Sequence, residues 1–198
     1  YKIKHYTGKT MIIAAILAGG RGLRLGSKIP KQLLPLGNKQ VIQWSVDTFH
    51  SSHLIDEIII VSEKSYMESI RAVFNQQKYP KIAAFIEGGA ERVDSSARAV
   101  FHKEYSPDDI FLIHDAARPF ITEGIISELV KAVEKYGAAG IYIPAKDTMA
   151  IVKDNLVESI PDRTALFYAQ TPQGFRYSVI ADSHKNHQIR RFNGITDD

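Results

Sequence analysis

A glycine-rich segment early in the chain carries a concentration of positive charge that suits the binding of phosphates. It reads LAGGRGLRLGSKIPKQLLPL, from Leu17 to Leu36, and its part from Ala18 to Lys31 contains no acidic residue. That part holds four glycines and four cations, Arg21, Arg24, Lys28 and Lys31. Glycines let backbone N–H groups wrap around phosphate oxygens, while the cations offset the charge of a triphosphate. We therefore interpret the segment as a candidate triphosphate-binding loop.

Two common phosphate-binding motifs do not describe this loop. The dinucleotide fingerprint G-x-G-x-x-G fails because, counted from Gly20 and Gly22, Leu25 stands where the third glycine belongs. The P-loop pattern fails because Gly20 and Gly26 are one residue too far apart. Side-chain cations are the distinctive feature instead, and at an effective dielectric constant of about 20 a unit charge about 4 Å from a phosphate oxygen contributes roughly 4 kcal/mol before desolvation and screening. The alternative interpretation is a solvent-exposed turn whose cations happen to cluster.

The elements that would position this loop alternate between short apolar strands and amphipathic helices. Five strands are predicted, at residues 11–17, 57–61, 82–87, 109–114 and 138–143. The clearest helix begins after Thr122, a predicted N-cap, and ends at Gly137. Such alternation is typical of an α/β architecture, in which helices cover a mostly parallel sheet. Each glycine-rich or polar cluster follows the carboxyl end of a predicted strand, where open α/β sheets collect ligands.

The pattern changes after Pro144. Residues 148–160, TMAIVKDNLVESI, read as two short strands around the turn residues Asp154 and Asn155. We call the segment of about residues 146–164 the arm. Its apolar side chains need a partner surface, which is either the same domain or a second subunit.

Composition and charge exclude several classes of protein. The chain has 198 residues, 44% hydrophobic and 24% charged, which is typical of one soluble globular domain, predicted for residues 11–198. Its longest apolar run, Met11 to Ala18, is too short to span a membrane. The formal charge of +3 resides in residues 1–10, which we interpret as a leader or an expression remnant, so we expect no nucleic-acid partner. The absence of cysteine suits a cytoplasmic protein.

The glycine-rich loop and three later segments together resemble the sugar-alcohol phosphate cytidylyltransferase family. The loop is similar to that family's G-x-G-x-R-[ML]-G-x-x-x-P-K-Q signature, and GGAERVDSS at 88–96 resembles its G-G-x-x-R-x-[DQ]-S motif. HDAARPF at 114–120 matches H-D-[AG]-[AV]-R-P, and AQTPQGF at 169–175 matches Q-T-P-Q-x-F. The resemblance covers residues 11–198. It implies a Rossmann-like, three-layer αβα nucleotidyltransferase fold from which the β-hairpin arm protrudes.

The resemblance implies transfer of CMP from CTP to the phosphate of a polyol phosphate, with release of pyrophosphate. Catalysis of this kind consists of positioning and charge neutralisation, with Mg²⁺ or another divalent cation bridging the triphosphate oxygens. Arg24 would stabilise the leaving phosphates and Lys31 the α-phosphoryl group. Ala18, Gly19 and Gly20 would contact the nucleotide through their backbone.

Two further segments are implied to bind the nucleotide. Gly88, Gly89 and Ser95 would read the cytosine edge and close over the base. Asp115, followed by Ala116, would bind either the ribose hydroxyls or the metal ion, of which we favour the metal.

Other residues of these motifs are expected to have supporting roles. Arg92 would orient its neighbours by ion pairing, Arg118 would form an ion pair beneath the site, and His114 would be a hydrogen-bonded core residue. We interpret His184 and His187 as surface residues, because their helix is polar and no acidic residue or cysteine accompanies them.

The acceptor needs a cation of its own. Arg163, in the segment PDRTALF, matches the family arginine that positions the acceptor phosphate and is counted with Arg24 and Lys31 as catalytic. Thr148 would add a hydroxyl group. Both residues lie in the arm, which in this family crosses to a neighbouring subunit, so the resemblance implies a homodimer.

The identity of the acceptor is left open between two branches of the family. HDAARP and QTPQGF favour the isoprenoid branch, which uses 2-C-methyl-D-erythritol 4-phosphate, whereas LAGG resembles the branch that uses ribitol 5-phosphate. A non-catalytic nucleotide-binding protein is the alternative from another functional class. The family pattern continues after residues 196–198 to an I-K-x-T motif, which we expect to follow Asp198.

Overall fold

The computed structural model describes residues 8–20 and 29–190, with side chains described as far as residue 186. The strands in this part of the chain are β1 Ile12–Ala18, β2 Pro35–Leu36, β3 Lys39–Gln40, β4 Glu57–Ser62, β5 Ile82–Glu87, β6 Ile110–Asp115, β7 Ala138–Pro144, β8 Ile151–Lys153, β9 Leu156–Ser159 and β10 Phe167–Arg176. The α-helices are α1 Val41–Ser51, α2 Met67–Val73, α3 Arg92–Val100, α4 Glu123–Tyr136 and α5 Tyr177–Arg190.

The central sheet has six strands in the order β5-β4-β1-β6-β10-β7. Strands β5, β4, β1 and β6 pair in parallel, while β10 runs antiparallel to both β6 and β7. The predicted parallel sheet and its five strands are therefore confirmed. The sequence pattern did not predict β10, whose residues FYAQTPQGFR lack apolar alternation and include the cis peptide bond Thr171–Pro172.

Helices cover both faces of the sheet. Alternate residues of β1 enter two separate apolar clusters, Ile16 in one and Ile13 in the other, and both side chains are fully buried. Residues of α1, α2 and α4 pack in the first cluster, and residues of α3 and α5 pack in the second. Burial on both sides explains why the parallel strands read as continuous apolar runs. The three-layer αβα arrangement is confirmed.

Helix α4 has the ends that the sequence predicted. The Thr122 side chain accepts a hydrogen bond from the backbone N–H of Ile125, and Gly137 ends the helix in the left-handed region at φ 83°. Helices α4 and α5 both have 14 residues. No helix within residues 8–20 and 29–190 has the length and apolar character needed to cross a membrane.

The hairpin of the arm is also present. Among the strands of the described residues, β8 and β9 pair only with each other, in a two-stranded antiparallel ladder. Asp154 and Asn155 connect them with φ values of 50° and 62°, the positive values that a tight hairpin turn of this type requires. Every residue of the two strands is exposed.

One prediction is wrong: His184 is not a surface residue. It is 3% exposed, its Nε2 atom lies 3.0 Å from the hydroxyl oxygen of Ser96, and its ring packs edge-on against Phe101. The polar composition of α5 conceals a face that packs on α3. The side chain of His187 lies outside the described residues.

Gly174 of β10 lies directly beneath α4. An added Cβ atom would lie 2.6 Å from Cγ2 of Val133 and 3.1 Å from Cγ of Leu129, which are both buried residues of α4. Gly174→Ala should therefore lower the free energy of unfolding by about 1–3 kcal/mol through overpacking, measured by urea denaturation. Gly124→Ala is the control, because an added Cβ there meets nothing closer than 3.9 Å. Equal stability of the two variants would contradict this account of the packing.

Candidate active site

Four parallel strands end side by side and form the floor of an open cleft. Their register pairs Leu17 with Asp115, Ala18 with Ser62, and Ser62 with Glu87, so the carboxyl ends of β1, β4, β5 and β6 are aligned. The loops that follow these strands line a cleft of about 1360 Å³. This is the edge of the sheet at which the sequence motifs were expected to meet.

A buried glutamine anchors the far end of the glycine-rich loop. The side chain of Gln32 donates a hydrogen bond of 2.5 Å from Nε2 to the carbonyl oxygen of Ala18, the last residue of β1. Gln32 belongs to a 3₁₀ turn, Lys31–Leu33, capped by Pro30. Lys31 is thereby held at the cleft, exposed and with its side chain alongside Gly20. Among the described residues, no carboxylate forms an ion pair with Lys31, so its charge is available to an anion.

The Gly88–Gly89 turn is packed against the start of α3. The N–H of Gly89 donates to the hydroxyl oxygen of Ser95 at 3.0 Å, and that hydroxyl donates to the Glu91 carbonyl oxygen at 3.1 Å. An added Cβ on Gly89 would lie 2.1 Å from Cβ of Asp94, so glycine is required there. Because its one proton is already donated, the buried Ser95 hydroxyl can accept but not donate a further hydrogen bond.

Two arginines hold the carboxylate of Asp115. Nε of Arg92 donates to Oδ1 at 3.2 Å, and Nε of Arg118 donates to Oδ2 at 3.2 Å. The expected ion pairs of both arginines are therefore present. Asp115 is partly exposed and lines the cleft together with both arginines, so the two guanidiniums and one carboxylate give this cluster a formal charge of about +1.

His114 lies buried behind Asp115 in a chain of hydrogen bonds. Its Nδ1 lies 3.1 Å from the Thr171 hydroxyl, and its Nε2 lies 3.1 Å from the carbonyl oxygen of Arg118. A carbonyl oxygen can only accept, so Nε2 carries the proton and Nδ1 accepts from the Thr171 hydroxyl. Burial lowers the pKa of His114 from 6.5 to about 4, which keeps the ring neutral. The interpretation of His114 as a satisfied core residue is confirmed.

The structure places the nucleotide-binding candidates in two groups. Cleft-lining residues include Lys31, Gly19, Gly20, Gly88, Gly89, Ser95 and Asp115. Ala18 and Ala116 are buried and do not line the cleft, and the N–H of Ala116 donates to the Leu17 carbonyl oxygen at 2.9 Å. Arg24 lies outside the described residues.

Neither acceptor candidate lines the cleft of its own chain. Thr148 and Arg163 are exposed in the arm, where Nη1 of Arg163 donates to the carbonyl oxygen of Lys146 at 3.1 Å. Most of the residues expected to bind the nucleotide therefore meet in one cleft of a single chain. The two residues expected to bind the acceptor lie away from that cleft.

Sequence reasoning gave no role to several side chains that build the site. They are Gln32 below the glycine-rich loop, and Gln170, Thr171 and Gln173 in β10. The available signal was the motifs themselves, because Gln32 ends P-K-Q and the other three lie in AQTPQGF. What each one contacts depends on distant segments, so spacing alone could not assign it.

The described residues are compatible with a metal ion that is bound mainly by the phosphates of a substrate. Residues 8–20 and 29–190 contain no group of three or more His, Cys, Asp or Glu side chains that could hold a metal. Both oxygens of Asp115 already accept from arginines, although each keeps a further lone pair. Mg²⁺ is commonly bound by one or two carboxylates together with substrate phosphates, and Asp115 could supply one such ligand.

The chain has a mixed, mostly parallel six-stranded sheet with helices on both faces. A cleft that bears cations lies at the carboxyl edge of this sheet. Together these features define an α/β protein of the nucleotidyltransferase-like class. The family model described as IspD: 2-C-methyl-D-erythritol 4-phosphate cytidylyltransferase matches residues 12–198. The chain belongs to this family of nucleotidyltransferase enzymes.

Individual relatives agree with this assignment. The chain is 36% identical over 187 residues to the 2-C-methyl-D-erythritol 4-phosphate cytidylyltransferase of Syntrophotalea carbinolica, covering 94% of this chain and 80% of that one. It is 37% identical over 190 residues to the enzyme of that name from Lachnospira eligens, covering 95% and 83%. The crystal structure of 4-diphosphocytidyl-2C-methyl-D-erythritol synthase from Anaerococcus prevotii superposes with a TM-score of 0.79 at 28% identity, covering 95% and 79%.

Because the pKa of His114 is lowered in the folded chain, the free energy of unfolding should depend on pH. Between about pH 4 and 6.5 the unfolded chain binds a proton at this ring that the folded chain does not bind. The His114 contribution to stability is therefore complete above pH 6.5 and decreases as the pH falls toward 4, by about 3 kcal/mol in total. Urea unfolding across this pH range should show a weaker pH dependence for His114→Gln than for the wild type. Identical slopes would contradict a neutral, buried His114.

Proposed function

We propose that this chain transfers CMP from CTP to 2-C-methyl-D-erythritol 4-phosphate and releases pyrophosphate. The observation that carries the proposal is Lys31, an exposed cation without an ion-pair partner among the described residues, held by the Gln32 anchor at the ligand-collecting edge of the sheet. Membership of the cytidylyltransferase family supports the choice of nucleotide and of acceptor.

CTP would lie across the carboxyl ends of the strands. Its triphosphate would follow the glycine-rich loop after β1, where Lys31 lies, and Arg24 is proposed to act on the leaving phosphates. The cytosine would face the Gly88–Gly89 turn, whose backbone lines the cleft. Asp115, held by its two arginines, would contact the ribose hydroxyls or the metal ion. This orientation matches each part of the nucleotide with groups of suitable charge.

The reaction requires no covalent enzyme intermediate. A phosphate oxygen of the acceptor attacks the α-phosphorus of CTP, a new phosphorus–oxygen bond forms, and the bond to the β-phosphate breaks to release pyrophosphate. Negative charge increases at the reacting phosphoryl group, which Lys31 would stabilise. Mg²⁺ or another divalent cation, when bound, would supply further charge neutralisation on the triphosphate, with Asp115 as the proposed protein ligand.

The acceptor site is proposed to form between two subunits. The arm has apolar side chains that the described part of its own chain leaves exposed, at Ile151, Val152, Leu156, Val157 and Ile160. Exposed apolar patches of this kind mark interaction surfaces. A second copy of this chain that covers the arm would bring Arg163 and Thr148 to the cleft of its neighbour, so we propose a homodimer. The absence of cysteine suits our proposal that it acts in the cytoplasm.

An assay of pyrophosphate release tests the activity. With CTP and a divalent cation present, release should require 2-C-methyl-D-erythritol 4-phosphate and should be absent without an acceptor. Faster release with ribitol 5-phosphate would instead support the second branch, which the LAGG segment resembles. Binding of CTP without turnover on either acceptor would support the non-catalytic alternative.

Removing the Lys31 charge should chiefly affect the chemical step. Lys31→Ala should lower kcat by about 10² to 10³, the range expected when one preorganised charge-stabilising group is lost. Steady-state kinetics would measure this, with Lys131→Ala on the exposed face of α4 as the control. Turnover near that of the wild type would refute the assignment of the loop.

Removing the Arg163 charge should chiefly affect the acceptor. Arg163→Ala should raise the KM for the polyol phosphate by about tenfold or more and leave CTP affinity unchanged, because Arg163 does not line the nucleotide cleft of its chain. Lys153→Ala, another exposed cation of the arm, is the matched control. An equal rise in KM for both substrates would argue against a separate acceptor site.

A further inference from the structure

We propose that the β10 segment Gln170–Gln173 positions Asp115 for its contact with the nucleotide. This inference rests on the function proposed above, in which Asp115 contacts CTP. The segment is the centre of the AQTPQGF motif, which has no role so far beyond completing the sheet. Each of its three polar side chains forms a hydrogen bond either with Asp115 itself or with an arginine that contacts Asp115.

Thr171 links Asp115 to the buried core. Its hydroxyl oxygen accepts from the backbone N–H of Asp115 at 3.1 Å, and its proton is donated to Nδ1 of His114 at 3.1 Å. Only 8% of Thr171 is exposed, and it does not line the cleft, so a role as a ligand contact is not available to it. The hydroxyl instead fixes the backbone on which the Asp115 side chain stands.

The two glutamines hold the two arginines. Oε1 of Gln173 accepts from Nη2 of Arg92 at 3.0 Å, and Oε1 of Gln170 accepts from Nη1 of Arg118. The Nε atoms of the same arginines donate to the two different oxygens of Asp115. Each guanidinium is planar, so a hydrogen bond from its Nη atom to a glutamine of β10 also fixes the direction in which its Nε atom donates to the carboxylate.

Energetics favours a positioning role over a purely structural one. Burying a hydroxyl or an amide costs free energy, and a strand that only completed the sheet would be more stable with apolar side chains. Thr171 and Gln173 are nevertheless 8% and 6% exposed, and each makes the hydrogen bonds described above. Asp115 is an anion at a site for an anionic ligand. Two oriented arginines hold it in place and offset its charge.

Paired variants separate the hydroxyl from the shape of Thr171. Thr171→Val has nearly the same shape but leaves both the Asp115 N–H and Nδ1 of His114 without their partner, whereas Thr171→Ser keeps the hydroxyl. We expect Thr171→Val to raise the Kd for CTP about tenfold by calorimetry and Thr171→Ser to stay within about twofold. Gln173→Met should weaken CTP binding and Gln173→Glu should retain it. Gln76→Met, at an exposed position, is the control.

A spectroscopic signal reports the network without any ligand. Nitrogen NMR of the His114 ring should show a proton on Nε2 in the wild type, and Thr171→Val should change the Nδ1 signal. If that signal changes while the Kd for CTP and kcat per folded protein stay at wild-type values, the segment is merely structural and the inference is overturned. If wild-type protein does not bind CTP, the proposed function and this inference both fail. Normal binding by the wild type and by Thr171→Val refutes the inference alone.

Discussion

The paired arginines on Asp115 are the interaction on which the site depends. A carboxylate that lines the proposed nucleotide cleft would repel phosphates, and Asp115 is tolerated there because each of its oxygens accepts from a different guanidinium. Those guanidiniums come from α3 and from the loop after β6, and β10 supplies one further hydrogen-bond acceptor to each of them. Three segments that are far apart in sequence therefore have to meet correctly before the charge of Asp115 is offset.

The parallel sheet explains why the candidate binding residues converge. Strands that run in the same direction bring all their carboxyl ends to one edge, so the loops after β1, β4, β5 and β6 share a single cleft. Buried side chains then hold these loops in place: Gln32 holds the end of the glycine-rich loop, and Ser95 holds the Gly88–Gly89 turn. The backbone at Ala18 and at Gly89 is thus fixed before any ligand binds, which lowers the cost of ordering it on binding.

The chain divides its functional groups between two surfaces. Most of the nucleotide candidates line a cleft within one chain, whereas Arg163 and Thr148 are exposed in an arm whose apolar side chains are not covered by residues 8–20 or 29–190. We propose that a second copy of the chain covers the arm. This one interface would bury the exposed apolar side chains and bring Arg163 and Thr148 to a cleft. Association would then be required for the complete site, and stability of the arm would depend on the concentration of the subunit.

Sequence alone determined the elements that local physics controls. The β-branched runs identified five strands, Thr122 and Gly137 identified the ends of α4, and Asp154 with Asn155 identified the hairpin turn, because each signal depends on neighbouring residues. The family motifs also predicted loops that line one cleft at the carboxyl edge of the sheet. Only the tertiary structure showed that β10 is a strand, that His184 is buried, and that Gln170, Thr171 and Gln173 reach the Asp115 cluster. A polar side chain in a polar segment reads as solvent-exposed until a distant segment folds against it, and only the fold supplies that partner.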